Sequence, residues 1–261
     1  MKLSAIIITN NKSKRFEQAV GSIRDIVDEI TVIDTGSGDK DSKFARKFTK
    51  NVFYVPLQDD DSLVRNYALS RSNGEWILVL DDDEVLSEEA RNAVRELTKH
   101  RDYDGYWFSR RWYIDDKRYL KHGLFYPDYT MRLFRNSQEF RYINRVHEEV
   151  TIPAGRTKQI PVDIYHYDSI HKYLSWKGFR RVDTYVRMLA MMHKEKGYSK
   201  TELVWKAIYT FFDMFFVGLT RGKGILDGWV GIKAHFFFAW SISKAYLKAA
   251  WETKTKKWML K

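Results

Sequence analysis

The sequence predicts an α/β fold, a mostly parallel Rossmann-like sheet flanked by helices and followed by an amphipathic helical extension. Three observations predict it. The run Trp76-Ile77-Leu78-Val79-Leu80 is apolar at every position and stops at Asp81-Asp82-Asp83-Glu84, as a strand buried on both faces of a parallel sheet does. The first hundred residues alternate between strand-like and helix-like patterns of crossover length. The last sixty carry two aromatic stretches with lysines along one side.

In order, residues 3–9 read as the first strand. Residues 16–27 read as a helix on the spacing of Phe16, Val20, Ile23 and Val27. A strand over 29–34 ends in Asp34-Thr35-Gly36-Ser37-Gly38-Asp39, and 40–49 read as a helix. Residues 52–55 form the third strand and 63–72 a short helix. Asn73-Gly74 is a turn before the strand at 76–80. Further on, residues 106–108, 131–134 and 162–167 read as strands. From Ser169, a reasonable N-cap, the chain turns helical as far as Gly197, which suits a C-cap. The organisation expected is a ligand-binding half at 1–100, an acceptor-side half of the same domain at 101–198, and a helical extension at 199–261.

Composition narrows the classes. The chain has 261 residues, 44% hydrophobic and 30% charged, which describes a globular protein. Without cysteine it has no disulfide framework and no thiolate metal site. The apolar residues at 3–9 are too few for a secretory segment, so a cytoplasmic location is expected. Charge is uneven: residues 1–100 hold 15 basic and 18 acidic side chains, a net of −3, while the rest hold 30 and 16, a net of +14. A half this basic implies a polyanionic partner, and an anionic membrane surface is preferred to nucleic acid because no nucleic-acid-binding module is recognisable.

In 203–219, Lys206, Thr210 and Asp213 fall on one helical face, and Trp205, Ile208, Phe211, Phe212, Phe215, Phe216 and Leu219 on the other. In 233–251, Lys233, Lys244 and Lys248 line one edge, and the chain ends with Lys254, Lys256, Lys257 and Lys261. Neither stretch is an uninterrupted span of ~20 apolar residues, so an interfacial, peripheral association is expected.

The chemistry collects at strand ends. In open α/β sheets the ligand crevice lies beyond the C-terminal ends of the strands. There the chain places Thr9-Asn10-Asn11, Asp34, the Asp59-Asp60-Asp61-Ser62 loop leading to Arg65-Asn66, and the acid cluster. Asp34 offers acceptors to a base or ribose, Arg65 offsets phosphate charge, and Mg²⁺ or Mn²⁺ at Asp81 and Asp83 holds a diphosphate. No GxGxxG or Walker sequence is present, which removes dinucleotide and P-loop readings.

The segments Ser4 to Asn11, Ile33 to Asp39, Arg65-Asn66-Tyr67-Ala68-Leu69 and Trp76 to Glu84 resemble the family 2 glycosyltransferases with the A-type nucleotide-sugar fold and its DXD motif. Met131-Arg132-Leu133-Phe134-Arg135, Val146-His147-Glu148 and the glycine-rich segment from Gly224 to Gly231 look like the lipopolysaccharide-core branch. A departure is Asn10-Asn11-Lys12, where relatives often carry Lys-Asn-Glu.

The resemblance implies inverting, metal-dependent transfer of a sugar from a nucleotide-diphosphate donor to a cell-envelope glycan or glycolipid. It puts the nucleotide on Thr9, Asn11, Asp34 and Arg65 and the metal on Asp81 and Asp83, with His166 a candidate third ligand. The base is Glu148 ahead of Glu149, with His147 beside it, and Arg132 and Arg135 face the acceptor or diphosphate. Alternatives are a sugar-phosphate nucleotidyltransferase and a basic nucleic-acid-binding module. The first usually has a glycine-rich loop after strand one, which residues 10–15 lack.

Overall fold

A computed structural model of the protein describes residues 2–10, 15–36, 42–56, 60–146, 148–167 and 169–251. Asn11, His147 and the terminal lysines 254, 256, 257 and 261 lie outside the described residues. The chain divides into two compact units, residues 1–120 with 125–169, and residues 121–124 with 170–261. The helices after Ser169 therefore group with the C-terminal extension, whereas the sequence reading put that boundary at residue 198.

The first unit is built on an eight-stranded sheet in the order β3-β2-β1-β4-β7-β6-β10-β5. The strands are β1 (Leu3–Thr9), β2 (Glu29–Asp34), β3 (Val52–Tyr54), β4 (Trp76–Asp81), β5 (Glu84–Leu86), β6 (Gly105–Trp112), β7 (Asp128–Arg135) and β10 (Thr157–His166). A separate two-stranded sheet pairs β8 (Tyr142–Ile143) with β9 (Glu149–Val150). β1, β2, β3 and β4 are parallel, β7 is antiparallel to both β4 and β6, and β10 is parallel to β6.

Alternation along the strands makes two cores. Leu3, Ala5 and Ile7 of β1 with Trp76, Leu78 and Leu80 of β4 pack on Phe16, Val20 and Ile23 of α1 (Phe16–Ile23) and on Ala90 and Val94 of α3 (Glu88–Leu97). Their neighbours Ile6, Ile77 and Val79 face Val64 and Ala68 of α2 (Asp61–Ser70) and Tyr142 and Val150 of the small sheet. Such period-two partition is what residues buried on both faces require.

Local chemistry starts the helices. The Asp60 carboxylate accepts from Ser62 N at the start of α2, and Ser87 Oγ accepts from Ala90 N at α3. Gly74 lies so close to β1 that a Cβ there would stand 2.5 Å from Ser4 N, so position 74 of the turn admits no side chain. The helix expected at 40–49 reduces, among the described residues, to a 3₁₀ turn at Ala45–Lys47.

Only Asp82 and Asp83 separate β4 from β5, although these strands stand four places apart in the sheet. A flat sheet would hold them about 19 Å apart at ~4.8 Å per strand, and three residue steps reach only about 11 Å. The sheet therefore curls, bringing β5 and β10 round towards the end of β4.

The second unit holds α4 (Trp176–Phe179), α5 (Asp183–Glu195), α6 (Lys200–Phe212), continued by a π turn at Asp213–Val217, and α7 (Gly228–Trp251). Gly197 takes φ +72° after α5, as its C-cap role requires. Ser199 and Glu202 form a capping box on α6. The two faces expected of residues 203–219 divide differently: Phe211 and Phe215 pack edge-on against Phe236, while Trp205, Ile208, Tyr209, Phe212 and Phe216 are exposed. Lys244, expected on a lipid-facing edge, instead bonds Asp183 Oδ1 at 2.7 Å. Among the described residues no helix is long and apolar enough to cross a membrane.

Candidate active site

The register sets Thr9 beside Asp34 and Ile8 beside Asp81, so the ends of β2, β1 and β4 form one row. β7 begins at this edge, and β6 and β10 end there, adding Arg110, Arg132 and His166. Thr9, Asp34 and His166 are all buried.

Thr9 Oγ1 donates to Asp82 Oδ2 at 2.6 Å. Asp34 accepts from Gly36 N at 3.1 Å and Ser42 Oγ at 2.6 Å. Asn66, next to Arg65 on α2, makes a two-way bond with Tyr142, its Nδ2 donating to the carbonyl and its Oδ1 accepting from the amide. This pairing fixes β8 to α2 and lays Arg65 over the Tyr142 ring, 5.5 Å from its centroid.

Asp81 is gripped from both sides, by Arg65 Nη2 on Oδ1 at 3.1 Å and Arg132 Nη2 on Oδ2 at 2.8 Å. Arg132 Nη2 also bonds Glu84 Oε1 at 2.6 Å, and Arg110 approaches the same oxygen at 3.4 Å. Burial works to raise the Asp81 pKa, but Arg132 and Arg65 overcome it and hold the carboxyl well below the usual range. Asp82 is pushed by burial up to about 7 although Thr9 bonds it.

Asp83 faces another way. Ser169 Oγ donates to its Oδ2 at 2.7 Å, and His166 Nε2 lies 3.4 Å from its Oδ1. Burial opposes ionisation, yet His166 and Ser169 keep its pKa low. The Ser169 hydroxyl is thus spent on Asp83 and not on a helix N-cap. Buried His166 Nδ1 has no partner among the described residues.

On the other side of Arg65, its Nε lies 3.5 Å from Glu148 Oε1. Glu148 is largely sheltered, while Glu149 is exposed and in β9. The site also contains Asp61, Glu84, Arg110 and Tyr142, to none of which the sequence reading gave an individual role. Burial, and after it the charge of neighbouring Glu148, pushes the Asp61 pKa up to about 7.

Two placements depart from expectation. Arg135 is at the far end of β7, against Asp104 and the Trp76 ring. Three residues along a strand reverse the face and add ~10 Å, which separates it from Arg132. Asp81, expected as a metal ligand, has one arginine on each oxygen. Among the described residues no three His, Asp or Glu side chains are disposed to hold a metal ion.

A sheet whose strand ends gather carboxylates and arginines without a glycine-rich phosphate loop defines a class, the A-type nucleotide-sugar transferases. The profile of Glycosyl transferase family 2 matches residues 4–177. The chain belongs to that family and is a glycosyltransferase, not a nucleotidyltransferase.

A TPR repeat-containing protein of Synechococcus elongatus is 30% identical over 149 residues, 57% of this chain and 35% of that protein. The chain thus spans about a third of that relative. An uncharacterized glycosyltransferase of Rickettsia felis is 26% identical over 263 residues, covering 95% of this chain and 92% of the relative. Among solved structures, S. aureus TarS 1-349 in complex with UDP-GlcNAc aligns with a TM-score of 0.48 at 14% identity, covering 94% of this chain and 90% of that one.

Proposed function

We propose that the chain transfers a sugar, with inversion, from a nucleotide-diphosphate donor to a hydroxyl of a cell-envelope glycan or glycolipid. The observation that carries this reading is the position of Arg65. It bonds Asp81 on the strand-end row and Glu148 on the opposite side. A donor lying along the row over Thr9, Asp34 and Arg65 leaves its anomeric carbon between the phosphate-binding side and a carboxylate.

Glu148 takes the acceptor proton as the hydroxyl attacks. Arg65 Nη1 and Arg132 Nε, both buried without a partner among the described residues, bind the phosphate oxygens. Asp83 and His166 suit Mg²⁺ or Mn²⁺, because a carboxylate and the Nε2 of an imidazole already converge there. A cation held by these two residues would supply positive charge to offset that of the diphosphate. Asp81 has a different task, holding the two arginines in place.

The acceptor reading rests on the C-terminal unit, whose exposed aromatic stripe on α6 suits the headgroup layer of an anionic membrane. It corresponds to a peripheral enzyme on the cytoplasmic face of the membrane, acting on a lipid-linked glycan.

The test is a thermal-shift screen of nucleotide sugars with and without Mn²⁺, followed by transfer assays with the stabilising donor. One donor should raise the melting temperature only with the cation. Asp83→Asn and His166→Ala should each remove that increment. Equal stabilisation of Asp83→Asn with and without Mn²⁺ would rule out the cation site, and no stabilisation by any nucleotide sugar would rule out the donor reading.

A further inference from the structure

We propose that Asn66 is a positioning residue for Glu148: its side-chain amide clamps the β8–β9 hairpin, which carries Glu148, to the helix that carries Arg65. The inference rests on the transfer reading above and adds a residue to it.

The first sign is local. Asn66 sits in the interior of α2, where asparagine is a weak helix former because its side chain competes for backbone groups. Here both ends of that side chain are spent outside the helix. Its Nδ2 donates to Tyr142 O at 2.9 Å, and its Oδ1 accepts from Tyr142 N at 2.8 Å. Exchanging both bonds with one residue is what an antiparallel neighbour does, so the amide stands in for a third strand beside β8.

A hairpin this short needs such a hold. β8 and β9 pair only Tyr142 with Val150 and Ile143 with Glu149, and an isolated two-stranded ribbon is marginally stable at best. Tyr142 and Val150 are buried in the core that includes Val64 and Ala68 of α2, which keeps the hairpin docked. Apolar burial is non-directional, however, and leaves open how the hairpin is turned on the helix. Hydrogen bonds are directional and settle it. A second bond, from the Asp61 amide to Arg145 O at 3.1 Å, pins the loop between the strands to the first turn of α2.

Glu148 stands directly before β9, beyond that pinned loop. Its Oε1 lies 3.5 Å from Arg65 Nε, and both side chains are largely sheltered. Arg65 in turn bonds Asp81 Oδ1 at 3.1 Å on the strand-end row. Asn66 and Arg65 are consecutive on one helix, so the clamp fixes the spacing between the base carboxylate and the phosphate-binding side. A base misplaced by ~1 Å loses up to about 100-fold in rate. Donor binding, which rests on the row itself, is spared.

Two readouts test the proposal on the full chain. The first needs no donor: hydrogen exchange of the Tyr142 amide, followed by NMR. Asn66→Leu keeps the side-chain volume and removes both bonds. It should speed this exchange by roughly 10-fold or more, while the amides of β1 and β4 keep their protection. The second is the kinetics of transfer. Asn66→Leu should lower kcat by roughly 10- to 100-fold and leave donor KM within about 2-fold. Val94→Ala, a truncation in the core on the other face of the sheet, controls for lost stability: it should lower the melting temperature and leave kcat intact. Asn66→Ala gives the same comparison if the leucine variant does not fold.

An unchanged Tyr142 exchange rate overturns the clamp, and a kcat within about 2-fold of wild type overturns its role in the reaction. A loss confined to donor KM overturns that role too, because Asn66 then acts on the donor through Arg65. Should no nucleotide sugar support transfer while Tyr142 exchange depends on Asn66, the transfer reading fails and the clamp stands.

Discussion

Arg132 Nη2 lies 2.6 Å from Glu84 Oε1, and both side chains are shut away from water. The bond joins β7 to the residue that follows the Asp82-Asp83 turn, so it sets the direction in which that turn presents its carboxylates. Glu84 Oε2 also accepts from Asp81 N at 3.1 Å, closing the turn on itself.

Removing one member of such a pair leaves the other charged and buried. Glu84→Leu should destabilise the chain by about 3–5 kcal/mol, read from urea denaturation. Adding Arg132→Met should restore part of that loss, because the stranded guanidinium goes too. A double variant less stable than Glu84→Leu alone would mean that Arg132 is held mainly by Asp81.

Stability should fall as pH rises across the neutral range. The folded Asp61 carboxyl has its pKa raised from 3.8 to about 7 by burial and by Glu148. Between those values the native state keeps a proton that the unfolded chain has released. Its contribution is thus full below about pH 4 and lost on the way to pH 7. Asp81 and Asp83, with lowered pKa values, act oppositely and only in acid. Asp61→Asn should flatten the pH 5–8 slope and stabilise the ligand-free chain at pH 8 by on the order of 1–3 kcal/mol. Thermal melts at four pH values check it.

The sequence made the strand-end row readable because β1, β2 and β4 are local, strongly apolar and each followed by polar residues. Thr9, Asp34 and Asp81 come together by register alone. Glu84 was harder to read. Its acidic neighbours and the glutamates of α3 make it look like a solvated helix approach, and only the inward turn of β5 buries it. Its partners Arg110 and Arg132 lie 26 and 48 residues away, and no local pattern announces such pairings. Asp61 did carry a signal, its i to i+4 spacing from Arg65. Arg135 was misread because Arg132 and Arg135 were treated as one motif, although strand geometry sends them to opposite faces.

The imidazole of His235 should be a keystone of the second unit. Its Nδ1–H donates to Gly231 O at 2.8 Å and its Nε2 accepts from Leu124 N at 3.1 Å, which requires the neutral ring. Burial lowers its pKa, with Gly231 and Asp227 opposing. The unfolded chain therefore takes up this proton first, and the unit should lose stability as pH falls below about 6.5. Glycines make room for the ring: at Gly123, φ is +75° and a Cβ would stand 2.0 Å from Nε2. Gly123→Ala should cost about 2–3 kcal/mol, visible as a lower melting temperature. A melt unchanged from wild type would show that the ring moves aside freely.

Trp205, Tyr209, Phe212 and Phe216 recur every three or four residues along α6 and its π turn, and Trp205 and Tyr209 are 66% and 70% exposed. Trp229, at 67%, and Ile225 and Leu226 add further exposed apolar area. Burying an aromatic ring in the headgroup layer gains on the order of 1 kcal/mol or more. Trp205→Ser with Phe212→Ser should therefore weaken binding to phosphatidylglycerol-containing vesicles by roughly 10-fold or more at an unchanged melting temperature. Cosedimentation measures the binding, and a melt controls for folding, which exposed positions leave intact. Moderate salt should weaken binding less than these substitutions do, because the basic residues add only a screened attraction. If the variant instead binds vesicles as well as wild type but no longer self-associates in sedimentation velocity, the stripe is an interface between two copies of the chain.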